Sequence, residues 1–131
     1  MHSLRTSGIA LLLPLLFACK GKEYIHKGVV DNVEIAYRWN HPVNKPSELL
    51  LKMTNTSEQA RTVQLEIDLY YQGRTVETFT ADTCMRPGQT MNGKLNGIYF
   101  IPSRVDTEQI KSGDTQVEIT RSTVTQEFAC P

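Results

Sequence analysis

The chain is short of the residues on which most enzyme and metal chemistry depends. It has three histidines and three cysteines among 131 residues, and none stands at metal-ligand or Cys-x-x-Cys spacing from another. No Gly-x-Ser-x-Gly elbow and no phosphate-binding glycine loop occurs. Net charge is lacking too: 14 basic residues balance 14 acidic ones. With no basic run or stripe, the footprint of a nucleic-acid binder is missing. The longest apolar run, from Ile9 to Phe17, is well short of the roughly 20 residues that span a bilayer. Beyond it no stretch sustains a helical period, which argues against a helical bundle. What is present suits a globular protein: 40% hydrophobic and 21% charged residues exclude both disorder and a fibrous repeat. The length allows one domain with one modest core.

The first nineteen residues have three parts. Met1 to Ser7 carries Arg5 and no acid; Ile9 to Phe17 is apolar; Leu16-Phe17-Ala18-Cys19 follows. Charged start, short apolar core and small residue form a signal-peptide pattern. The last four residues resemble the lipobox of bacterial lipoproteins in Leu16, Ala18 and Cys19, with Phe17 bulkier than usual. That resemblance implies cleavage before Cys19, diacylglycerol on its thiol and acylation of the new amine. Two or more acyl chains give a stable anchor where one is marginal. It divides the chain into a signal peptide (1–18), a lipidated cysteine with its tether (19–23) and a domain (24–131). Lys20, rather than Asp, follows the cysteine, which implies the outer membrane under the sorting scheme of such proteins. Four residues, Lys20 to Glu23, separate Cys19 from a first strand expected at Tyr24. At about 3.3 Å per extended residue they reach roughly 13 Å, so the domain is expected close to the membrane. Lys20 and Lys22 are either solvated or placed among lipid phosphates.

The domain reads as strands. Val63 to Tyr70 alternates apolar and polar residues, with Val63, Leu65, Ile67 and Leu69 on one face. Tyr71 to Arg74 supplies a glycine-containing turn and Thr75 to Thr80 a return strand, together a β-hairpin. Val33 to Trp39 also alternates, before prolines at 42 and 46 interrupt. Glu48 to Thr54, with Leu49, Leu50, Leu51 and Met53, reads as a buried strand, and Asn55 to Glu58 as a turn. Arg86-Pro87-Gly88-Gln89 suits a type II turn. Strands are expected around Gln89 to Leu95, at Ile98 to Ile101 and at Thr115 to Arg121. Thr107 to Ile110 reads as a helical turn or an edge segment. The expected fold is all-β, an antiparallel sandwich of about seven strands. Glu48 to Thr56, Val63 to Gly73 and Arg86 to Gln89 resemble small immunoglobulin-like domains of bacterial surface proteins, a likeness that bears on fold and not on activity.

With Cys19 assigned to lipid, Cys84 and Cys130 remain in an exported domain, where thiols tend to pair. Their bond would close a loop of about 47 residues and add at best about 4 kcal/mol. The alternative is two separate buried thiols.

Candidate chemistry is sparse. His26 and His41 with Asp31 or Glu34 would be a weak metal set, and isolated surface histidines are the commoner arrangement. Glu66 and Asp68 share a polar strand face roughly 7 Å apart, a spacing that acid–base pairs use but that any solvated face also shows. Asn55-Thr56-Ser57 matches a glycosylation acceptor pattern, usually silent in bacteria. The aromatic residues Trp39, Tyr70, Tyr71 and Tyr99 are candidates for stacking on a ligand; for Trp39 core packing is the competing assignment. No metal, cofactor or catalytic residue is expected. The sequence thus leads to a non-enzymatic domain, held on a membrane through Cys19, that contacts a protein of the cell envelope. The alternatives are a carbohydrate-binding module on the outer membrane and an assembly accessory working through a sheet edge.

Overall fold

A computed structural model describes residues 23–131; the signal-like segment, Cys19, Lys20 and Lys22 lie outside the described residues. Eight strands form two antiparallel sheets. In sheet A, β1 (Ile25–Val30), β2 (Val33–Asn40) and β3 (Glu48–Asn55) lie side by side. The far edge of β3 pairs with two short strands, β6 (Thr90–Asn92) and β7 (Tyr99–Phe100). In sheet B, β4 (Ala60–Tyr71) lies between β5 (Arg74–Met85) and β8 (Thr115–Glu127). A short helix, α1 (Thr107–Lys111), joins β7 to β8. Three pairings link strands distant in sequence, β3 with β6, β3 with β7 and β4 with β8. They make the sandwich Greek-key, like immunoglobulin-like domains.

Alternation places the core. Val63, Leu65, Ile67 and Leu69 of β4 are buried and meet Val33, Ile35, Leu49, Leu51 and Met53 of sheet A. The cross-strand register Ile35↔Met53, Tyr37↔Leu51 and Trp39↔Leu49 keeps the inward residues in rows. Turn chemistry fixes the hairpins. Gln72 and Gly73 take φ of 51° and 81°, and Asp31 and Asn32 take 45° and 67°. Two consecutive positive values match the right-handed twist of the flanking strands. Gln89 N–H donates to the Arg86 carbonyl at 3.1 Å with Gly88 at φ 72°, as the Pro-Gly pair requires.

Several boundaries move. The first strand starts at Ile25, one residue after Tyr24. The return strand continues past Thr80 to Met85, so Cys84 lies in β5 rather than in a loop. The strand expected to reach Leu95 stops at Asn92, because Gly93 turns the chain away at φ 26°. The apolar run from Ile98 keeps only Tyr99 and Phe100 as strand. The last strand continues six residues beyond Arg121, with its ladder shifted once near Ile67. The segment at 107 is a helix, closed by a capping box: Gln109 N–H donates to Asp106 Oδ1 at 2.8 Å and Asp106 N–H to Gln109 Oε1 at 2.9 Å. It drops Ile110 into the core.

Candidate functional site

The structure separates the four aromatic candidates. Trp39 and Tyr71 are half-buried and pack against the core at one end of the sandwich. Tyr71 is the last residue of β4 rather than part of the turn. Tyr70 lies on the outer face of sheet B, opposite Thr75 and Gln116. Tyr99 lies on the outer face of sheet A, opposite Leu50. The rings form no common platform.

The histidines do not converge either. His26 shares a shallow depression of about 240 Å³ with Glu34 and Lys52. His41 Nδ1 is 2.7 Å from Ser47 Oγ, which is 2.6 Å from Thr107 Oγ1. Ser47 is buried, so the chain of three fastens the β2–β3 loop to α1. Among the described residues no group of three metal-ligating side chains forms. Glu66 and Asp68 share the outer face of sheet B as expected; Asp68 accepts from the Thr78 hydroxyl at 2.8 Å.

Asn55 is fully buried, so the glycosylation reading of Asn55-Thr56-Ser57 does not fit. Its amide nitrogen faces the carbonyls of Gln59, Met85 and Arg86 at 2.8, 3.2 and 3.1 Å. Its Oδ1 accepts from Ser57 N–H and Oγ. Asn55 therefore ties the β3–β4 turn to the end of β5. Beside that knot Cys84 and Cys130 are bonded, with Cα atoms 5.6 Å apart. The bond holds the tail after β8 against the end of β5. Next to it opens a cleft of about 660 Å³ whose lining includes Gln59, Arg86, Pro87 and Phe128. Phe128 is fully exposed. A large ring held in water on a covalently pinned segment is the kind of side chain that anchors protein interfaces.

The second notable surface is the outer face of sheet A. Leu50 points outward yet is buried, because side chains cover it. Tyr24 directly precedes β1 and lies beside Arg38. Its ring lies 5.2 Å from the Arg38 guanidinium carbon and 5.6 Å from Lys52 Nζ. At Gly93 a Cβ would sit 3.2 Å from Leu50 Cβ and 3.4 Å from the Tyr24 hydroxyl, so glycine lets the chain close over Leu50. From there a 3-10 turn, Lys94–Asn96, rises with Leu95 85% exposed. Lys94 Nζ reaches Glu48 at 2.7 Å and lies over the Tyr99 ring at 5.6 Å. That lysine bond, then the one from Asn40 at 2.8 Å, holds the Glu48 carboxyl below its ordinary value. The same bond raises Lys94. Arg38 Nη1 is buried and has no hydrogen-bond partner among the described residues.

Neither surface is singled out by sequence. One signal exists in retrospect: three consecutive leucines in a strand with only one core-facing side mean that something covers the other. Phe128, just past the last alternating residues, gives no such sign. No protein-family model matches the chain, and neither a curated protein nor a solved structure shows significant similarity to it.

Proposed function

We propose that this protein is a lipid-anchored component of the bacterial cell envelope, on the outer membrane, whose β-sandwich binds another envelope protein without catalysing a reaction. The anchor rests on Leu16, Ala18 and Cys19 and on the short, lysine-bearing tether behind them. The observation that carries the binding reading is the cleft beside the Cys84–Cys130 bond with its wholly exposed Phe128. A pinned backbone loses little further freedom on docking, and an aromatic ring supplies contact area at low entropic cost. The long strands bounding sheet B suit edge-to-edge assembly poorly: β5 carries Arg74, Glu77 and Asp82, and β8 carries Glu118, Arg121 and Glu127.

A photo-crosslinking residue at position 128 tests this in cells. One envelope protein captured there, and lost both in Cys19→Ser and on placing the crosslinker at Thr80, supports the reading. Equal capture at both positions, or none, removes the cleft as the docking site.

A further inference from the structure

We infer that the outer face of sheet A, centred on the 3-10 turn with Leu95, lies against the anionic lipid headgroups of the membrane that carries the protein. This inference rests on the lipid anchor at Cys19. It adds which face the membrane covers, and hence where the cleft lies relative to the lipid.

Three observations converge. The first is where the described chain begins. Tyr24 lies on the outer face of sheet A, its hydroxyl close to Gly93. The four residues Lys20 to Glu23 span at most roughly 13 Å. A lipid on Cys19 therefore holds this face near the bilayer and leaves little room to turn it away. The second is charge. Overall neutrality conceals a division between the two faces. Around the point where the chain enters, Arg38 and Lys52 flank Tyr24. Lys94 is paired with Glu48; Arg38 and Lys52 have no ion-pair partner among the described residues, with Glu34 in the same depression as Lys52 and Glu23 just before Tyr24 in the chain. The outer face of sheet B carries Asp68 and Asp82 besides Glu66, which lies opposite Arg121, and Glu118, which is paired with Lys27 at 3.3 Å. Anionic lipid attracts the first face and repels the second.

The third is the apex. Leu95 is 85% exposed at the middle of a projecting turn, flanked by Lys94 and by Tyr99. A bare leucine among lysine and tyrosine side chains is the composition of an interfacial membrane contact, where the apolar group enters the headgroup boundary and the amphipathic groups stay level with it.

The disulfide cleft then lies to one side, at the end of the strands. Asn55, beside it, is five residues along β3 from Leu50, roughly 17 Å at about 3.4 Å per residue. A partner meets Phe128 beyond that end of the sandwich, beside the lipid-covered face and not under it.

The test uses the lipidated full-length protein in vesicles of phosphatidylethanolamine and phosphatidylglycerol containing brominated lipid, which quenches tryptophan on contact. Wild type, with Trp39 alone, gives the background. Leu95→Trp is expected to be quenched at least about threefold more than Thr80→Trp on the acidic face. The double change Arg38→Gln with Lys52→Gln is expected to lower the Leu95→Trp signal about twofold. Both tryptophan positions are exposed, so folding is not at issue. Should the protein float with vesicles while Leu95→Trp and Thr80→Trp report alike, the face is wrong and the anchor stands. Failure of wild type to float removes the anchor, and this orientation with it.

Discussion

The two sheets of this sandwich share one core but are finished differently on the outside. Sheet B is an ordinary two-sided sheet. Its middle strand β4 buries every second side chain and gives the others to water or to polar neighbours. Sheet A is thicker. Its middle strand β3 buries Glu48, Leu49, Leu50 and Leu51 in succession, because Tyr24, Gly93 and the Lys94–Glu48 bond roof its outer side. Sheet B is instead fastened covalently, through Cys84 at the end of β5 and Cys130 beyond β8. A sheet can thus be secured by a second side-chain layer or by a crosslink, and here the first buries a leucine, Leu50, on the outward side of its strand.

The largest effect is expected from the crosslink. Replacing Cys84 and Cys130 together by serine frees a loop with a sequence separation of 46 and is predicted to lower stability by about 4 kcal/mol. Urea unfolding of the oxidised protein and the double variant measures it; equal midpoints would show that sheet B does not depend on the bond. Next is Asn55→Ala. It strips the Gln59, Met85 and Arg86 carbonyls of their shared donor, with a predicted loss of about 3 kcal/mol. A loss no greater than that of a surface substitution would mean that water replaces the amide.

The comparison is most directly broken by matched outward positions. Leu50→Ala on sheet A is predicted to cost about 2 kcal/mol, whereas Glu66→Ala on sheet B stays within about 0.5 kcal/mol. Equal losses in chemical denaturation would mean that the roof over β3 adds nothing. The smallest effect concerns the roof's ion pair. Glu48 is lowered from 4.5 and Lys94 raised from 10.5. A lowered acid contributes stability that is complete above 4.5 and lost as pH falls through the folded value; a raised amine contributes stability complete below 10.5 and lost as pH climbs through its own. The stability gap between wild type and Glu48→Gln should therefore be flat between those limits and close on acidification. A gap that widens in acid would overturn the assignment.

Legibility in the sequence follows the same division. The hairpin of β4 and β5 and the Pro-Gly turn were readable, and the helix at 107 and the bonded cysteines were each readable as one of two alternatives, since each depends on neighbours in sequence or on a short list of possible partners. Ends were misjudged where distant residues decide. The last strand runs to Glu127 because β4 offers a ladder that far, and the strand expected from Gln89 to Leu95 breaks where Gly93 folds over Leu50. Asn55 reads as a turn residue, yet its side chain serves a strand end 30 residues away. Leu50 announces its burial but not what buries it.

The sequence by itself determined the all-β class, the inward face of each alternating strand and the residues available for a disulfide. Periodicity and turn chemistry are local, and with two cysteines in the domain only one intramolecular pairing exists. Tertiary structure alone decided that Tyr24, Arg38, Lys52 and Leu95 share one face with the incoming chain, and that Phe128 stands beside a cleft at the other end. Those groupings arise from strand order and register, β1 beside β2 and β3 beside β6, which no single segment encodes because each pairing is fixed by how both sheets together bury the core.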